Sequence, residues 1–222
     1  MTMVVRTSDL CYTMSVAEAE PGRGQDRMAS FHLGDRVVFV VADGAGSAAG
    51  GAFAAETLCD AVAESCSRVA AEGWTTWLRT FDASMPLTGL VAGLIIEVTS
   101  DGHAFGTSVG DCRAWLFSET ATELTGSQFR RPLLGLAMAR PVGFTADVAG
   151  GVLVIATDGL WKRARCEWIR RITTCVPLEA AAATLVDAVT VEDGRPRADT
   201  AFCIIEVAAR PRLRRPKARP LP

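Results

Sequence analysis

The chain has 222 residues, 49% of them hydrophobic, and a formal net charge of −2. That is enough for one domain with a sizeable core, and it excludes global disorder. No apolar run reaches the length of a membrane span. Only two histidines are present, His32 and His103, too few for histidine-rich zinc sites or serine-hydrolase triads.

Seven cysteines, an odd number without C-x-x-C spacing, point to reduced thiols rather than a disulfide framework or a zinc site. Met1 to Leu10 lacks a basic region followed by a long apolar stretch, so no secretory signal is expected. A cytoplasmic location follows as the expectation. The charge is unevenly spread. The last 14 residues hold six basic side chains and no acid, which leaves 17 basic against 25 acidic residues in the body, a net −8. Nucleic acid is not the expected partner. The basic, proline-rich tail 209–222 reads as a disordered terminus, or as an electrostatic tether for an acidic partner or nucleic acid, and residues 1–208 read as a single domain.

Taken in order, Cys11 to Val16 reads as a short strand and Glu18 to Arg27, with Pro21, Gly22 and Gly24, as a polar loop containing Gln25-Asp26. Met28 to Leu33 and Arg36 to Ala42 read as strands joined by a Gly34-Asp35 hairpin turn. The second of these contains five consecutive apolar residues, Val37 to Val41, and leads into Asp43-Gly44-Ala45-Gly46-Ser47. A fully buried strand reads this way, and here it delivers a carboxylate to a rim. A helix is expected from Ser47 to about Ala71, with Phe53, Leu58, Val62 and Val69 on one face. A shorter one is expected over Trp74 to Phe81, with Trp74 and Trp77 in the core.

Thr88 to Val98, Ala104 to Val109 and Cys112 to Phe117 read as three strands joined by Asp101-Gly102 and Gly110-Asp111 turns, an antiparallel meander. Thr120 to Thr145, with Pro132, Gly135, Pro141 and Gly143, reads as an irregular segment near the site. Val152 to Ala156 repeats the earlier pattern: an apolar run, then Thr157-Asp158-Gly159 and a helix-like segment. Helices are expected over Cys166 to Cys175 and Leu178 to Thr190, and a last strand over Ala201 to Val207, just after Asp199. The fold class expected is α+β, with two central antiparallel sheets flanked by helix pairs in four layers, α/β/β/α.

Asp43, Asp111, Asp158 and Asp199 fall at strand ends or tight turns, and Asp26 lies in the early loop. Isolated buried carboxylates are costly, so converging ones imply a shared cation. Oxygen ligands suit Mg²⁺ or Mn²⁺. A two-metal site activates water and holds a phosphate for in-line attack. Asp-Gly is also a common turn dipeptide, and Asp111 reads equally well as part of a plain hairpin turn. Arg113 reads equally well as a salt-bridge partner.

These segments, in order over residues 24 to 207, resemble the metal-dependent protein serine/threonine phosphatases of type 2C (the PPM class) in a compact bacterial form. Gln25-Asp26 resembles the end of the first family motif, and Val41-Ala42-Asp43-Gly44-Ala45-Gly46-Ser47 the metal-binding Asp-Gly motif. Thr107 to Trp115 is similar to the Gly-Asp-Ser-Arg segment, and Ile155 to Trp161 to the Ser-Asp-Gly-Leu-Trp segment. Asp199-Thr200 resembles the closing motif.

The resemblance implies hydrolysis of phosphoserine or phosphothreonine in proteins by a metal-activated water, with two or three Mg²⁺ or Mn²⁺ ions. The partners implied are a phosphoprotein substrate and a cognate kinase. It implies Asp43 as the residue bridging the metals, the Gly44 carbonyl as a ligand, Asp158 and Asp199 as ligands of the other metal, and Asp111 as ligand of a third. Asp26 is implied as a catalytic residue beside them.

The pattern departs from the family at Gly24, at Ala45, and at Arg197-Ala198, where the closing motif would carry its acid. These departures motivate an alternative: a degenerate phosphatase-like domain that binds a phosphoprotein or regulates a partner. A nucleotide-binding domain, suggested by Gly44-x-Gly46, is excluded. The dinucleotide fold needs another parallel strand about twenty residues on, where this chain is still helical.

Overall fold

The computed structural model describes residues 2–7, 10–20, 22–85, 89–191 and 194–209. The expected tail beyond Ala209 lies outside them, as do Pro21 of the expected loop and Thr88 of the expected strand. Eleven strands and five α-helices are formed among the described residues. In chain order they are β1 (Thr2–Arg6), β2 (Leu10–Ala17), β3 (Asp26–Leu33), β4 (Arg36–Ala45), α1 (Ala48–Ser65), α2 (Trp74–Ser84), β5 (Leu90–Thr99), β6 (His103–Val109), β7 (Arg113–Phe117) and β8 (Ala121–Glu123). There follow β9 (Val142–Asp147), β10 (Val152–Ala156), α3 (Asp158–Trp161), α4 (Cys166–Cys175), α5 (Leu178–Val189) and β11 (Thr200–Val207).

The strands make two antiparallel sheets, one ordered β1-β2-β11-β10-β7-β8 and the other β3-β4-β5-β6-β9. Their inner faces pack on each other. Alternation within one strand shows how. Val37, Phe39 and Val41 of β4 face the other sheet, where they share a core with Leu153 and Ile155 of β10 and Cys203 and Ile205 of β11. Val38, Val40 and Ala42 point the other way, onto Leu58 and Val62 of α1 and Trp74 and Leu78 of α2. Val154 and Ala156 of β10 likewise face Ile169 of α4 and Ala181 and Leu185 of α5. A strand covered on both faces has no use for polar side chains, which is why β4 and β10 are unbroken apolar runs. The expected α/β/β/α layering is therefore the observed one, and Trp74 and Trp77 pack edge to face as expected core residues.

Several expectations need correction. The three strands after α2 are not a meander. β5 and β6 pair, but β7 pairs with β10 and β8 in the other sheet. Gly110 and Asp111 therefore form a crossover between sheets rather than a hairpin turn. Gly110 has φ 90°, a backbone conformation that glycine tolerates best, and Cys112 drops into the core between the sheets. Helix α1 stops at Ser65, six residues early, because the N–H groups of Arg68 and Val69 both turn back to the Ser65 carbonyl. Phe53 is 49% exposed, off the buried face. The segment 120–145 also contains the short edge strands β8 and β9, and β1 was not foreseen at all.

The irregular stretch between β8 and β9 is fixed by one buried carboxylate. Asp82 of α2 is 3% exposed and accepts the backbone N–H groups of Gly135 at 2.7 Å, Ala137 at 3.3 Å and Ala139 at 2.8 Å. Replacing it strands those donors. Asp82→Ala should destabilise the fold by about 2–4 kcal/mol, measured by urea denaturation, whereas Asp82→Asn, which keeps one acceptor oxygen, should lose less.

Candidate metal centre

The cluster stands where the two sheets meet. Asp26 opens β3 and Asp43 lies near the end of β4, and the two are directly opposite each other in the antiparallel register. Like charges opposed in this way are destabilising. Helix α1 begins immediately afterwards, with the Ser47 side chain accepting the Gly50 N–H as its N-cap. A Cβ at Gly44 would run into the carbonyl of Gly51, so only glycine lets the strand end lie against the first turn of α1. Asp158 begins α3 directly after β10, and Asp111 sits in the crossover.

One carboxylate oxygen each from Asp43, Asp111 and Asp158 lies within 4.8 Å of the others. Three acids far apart in the chain thus meet at one point, as the two Asp-Gly strand ends imply. Their positions are braced by neighbours. The Trp161 indole N–H donates to the Asp111 carbonyl at 3.0 Å. The Arg113 guanidinium stacks 3.8 Å from the centre of the Trp161 ring and its Nε lies 3.5 Å from Glu123. Arg113 is thus a salt-bridge partner and a brace of the crossover. Thr157 Oγ1 accepts the Ala201 N–H at 2.9 Å, tying the start of α3 to β11.

Asp199 is not in the trio. Its two oxygens accept the N–H groups of Ala19 at 2.9 Å and Gln25 at 2.7 Å, so it pins the loop between β2 and β3. Two-residue slippage of the closing motif accounts for this: the acid precedes Thr200 directly and points to the neighbouring loop. Neither nearby arginine points a spare guanidinium at the cluster. Arg27 donates to the carbonyls of Gly24 and Asp26 at 2.8 and 2.9 Å. Arg23 pairs with Glu20 at 3.3 Å on the wall of a cleft of about 440 Å³ lined also by Gln25, Ala198 and Asp199. His32 and His103 lie at the far ends of β3 and β6 from the cluster.

Charge is the dominant feature of the site. Burial pushes Asp26 up to about 7, opposed by the neighbouring Thr157 hydroxyl and Asp43 carboxyl and reinforced by the charges of Asp199 and Asp158. Burial likewise pushes Asp43 up to about 8, reinforced by Asp26, Asp158 and Asp111. Asp111 is raised by burial and then by Asp158. Asp26 is 3% exposed, and its Oδ2 has no hydrogen-bond partner. An all-oxygen donor set with an orphaned buried carboxylate oxygen beside it fits a hard divalent cation such as Mg²⁺ or Mn²⁺. Sequence reasoning missed Lys162, whose ammonium pairs with Asp158. Its position four residues along the same helix was the available signal.

A profile of the family "Protein phosphatase 2C" matches residues 20–195, well over half of the chain. The chain belongs to the protein phosphatase 2C family. Solved structures agree with this at the level of fold. RsbX in complex with magnesium is 17% identical, with a TM-score of 0.77 over 94% of this chain and 100% of that one. The Mycobacterium tuberculosis serine/threonine phosphatase PstP/Ppp is 15% identical, with a TM-score of 0.68 over 90% of this chain and 99% of its own. The catalytic domain of PstP in complex with two manganese ions is 14% identical, with a TM-score of 0.72 over the same shares, 90% and 99%. No curated protein sequence matches. Among the described residues no helix is long and apolar enough to cross a membrane.

The raised carboxylates make the phosphatase-like fold sensitive to pH when cations are withheld. Acids whose folded values lie above the ordinary 3.8 bind more protons folded than unfolded, so their contribution is present at low pH and is lost as pH rises through about 7 to 8. In EDTA, the melting temperature should therefore fall between about pH 5.5 and pH 8.5. Added Mg²⁺ or Mn²⁺ should restore it, with the larger gain at the higher pH. Thermal scans with and without EDTA measure both.

Proposed function

We propose that this protein phosphatase 2C family member is an active Mg²⁺- or Mn²⁺-dependent enzyme that hydrolyses phosphoserine and phosphothreonine in proteins. The observation that carries the proposal is the convergence of Asp43, Asp111 and Asp158 within 4.8 Å at the seam of the two sheets. Family membership supplies the reaction class, and the magnesium and manganese complexes among its structural relatives support the choice of ion.

In this reading Asp43, Asp158 and the Gly44 carbonyl hold two ions, and Asp111 serves these or a third. When bound, the ions supply Lewis acidity: they lower the pKa of water and draw charge from the phosphoryl oxygens. The protein's own groups do the rest. Asp26 Oδ2, buried and unpartnered, is the acceptor that orients the attacking water and holds its proton. The Thr157 hydroxyl, bonded to the Ala201 backbone N–H at 2.9 Å and carbonyl at 3.3 Å, fixes the approach to Asp158. Asp199 positions the Ala19–Gln25 loop and with it the start of β3, rather than acting as a ligand itself. Ala45 offers no acid, so the leaving serine or threonine oxygen takes its proton from solvent. The substrate is a phosphorylated protein, and a kinase that installs the phosphate is its natural counterpart. The open cleft beside Arg23 and Gln25 leaves room for a polypeptide at the cluster's edge.

One observation favours the second reading, a phosphatase-like binding domain without turnover. Asp199 spends both carboxylate oxygens on backbone N–H groups, which leaves fewer acids for the ions. Turnover separates the two. With Mn²⁺, the purified protein should hydrolyse p-nitrophenyl phosphate and a phosphothreonine peptide. Asp43→Ala and Asp158→Ala, with unchanged circular dichroism, should lose roughly two orders of magnitude or more in kcat/KM. Asp199→Asn should lose far less than either. Absence of turnover in the wild type, with retained binding of a phosphopeptide, would establish the second reading instead.

A further inference from the structure

Among the described residues Lys162 is the cation that forms an ion pair with the trio, through Asp158. It closes α3, four residues after Asp158, and its backbone N–H returns to the Asp158 carbonyl at 3.0 Å. Its ammonium donates to Asp158 Oδ2, and the charges of Asp111 and Asp43 act on the same ammonium. Its Nζ lies 5.6 Å from the centre of the Trp161 ring, so the side chain is steered across the face that braces Asp111. Among the described residues no other ion pair reaches Asp43, Asp111 or Asp158. Arg113 is committed to Trp161 and Glu123.

The two partners are unequally exposed. The Lys162 side chain is 51% exposed and that of Asp158 is 24%. The lysine is thus the partner with a path to solvent, while the carboxylate is held at the start of α3. A dication seated on Asp158 and Asp111 would face a like charge at short range in a partly desolvated site, where Coulomb energies are large compared with water. The ammonium on Asp158 Oδ2 and a dication at the same corner therefore compete for one negative charge.

We infer that Lys162 is a built-in counter-cation of the cluster, which a divalent ion must displace to occupy the Asp111–Asp158 corner. The inference rests on the proposed reading of the cluster as a metal centre. Without ions, the lysine holds the acids together. With ions, it swings outward and places a positive charge at the mouth of the site. The chain thus sets its own threshold of divalent ion for loading.

The test is Mn²⁺ affinity, read from the paramagnetic resonance of free Mn²⁺, for wild type, Lys162→Met, Lys162→Arg and the control Arg130→Gln, whose charge acts on Asp111 from outside any ion pair. Lys162→Met should bind Mn²⁺ roughly three- to tenfold more tightly, and the other two should stay within about twofold of wild type. In parallel, acetylation of Lys162 by an N-hydroxysuccinimide ester, read by peptide mass spectrometry in the wild type, should quicken severalfold on saturation with Mg²⁺. Equal or weaker affinity in Lys162→Met, equal tightening in Arg130→Gln, or acetylation unchanged or slowed by Mg²⁺ would overturn the inference. Mn²⁺ binding by Lys162→Met but not by wild type would support it outright. Failure of every form to bind Mn²⁺ would instead bring down the metal reading, and this inference with it.

Discussion

Repulsion between carboxylates governs this molecule. Asp26 and Asp43 oppose each other across one ladder, and Asp111 and Asp158 approach from the other side. Like charge at short range works against that arrangement: Asp26, Asp158 and Asp111 all raise the proton affinity of Asp43. It persists because the positions belong to strand ends, and the strands are locked by a core filled from both sheets. Close-packed interiors transmit such strain instead of relaxing it. The neighbouring polar groups then read as responses to the same problem: backbone N–H groups on Asp199 and an ammonium on Asp158.

The layers and the long elements were legible because their signals are local. Apolar runs buried on both faces announce β4 and β10, and the boundaries of α4 and α5 follow from helical spacing. The family motifs then brought Asp43 and Asp158 forward, and the fold unites them. The crossover at Gly110 was not legible. A glycine and an aspartate between two strands look the same whether the second strand pairs with the first or leaves for another sheet, because pairing partners are chosen by tertiary packing. β1 lies on a sheet edge, where fewer side chains are buried and the alternating signal is weak.

The site was legible in part for a related reason. Strand-end acids carry a sequence context, but the direction of a side chain in a loop does not. Asp199 has the right neighbours in sequence and turns toward the Ala19–Gln25 loop, a choice made by two backbone N–H groups that no motif records. Lys162 went unnoticed for the opposite reason. It lies one residue beyond the matched segment, and its role is set by helical geometry. Phosphatase 2C membership organises these residues, while their individual partners come from this chain's own contacts.

The crossover has a mechanical meaning beyond topology. Asp26 and Asp43 ride on one sheet, Asp158 on the short helix that follows a strand of the other, and Asp111 on the three-residue strap between them. The gaps among these oxygens therefore act as a gauge of how the two layers are seated. A slip of one layer over the other would separate the acids while every hydrogen-bonded ladder stayed whole. The spacing of the acids is thus held by packing between the layers rather than by the hydrogen bonds of either sheet.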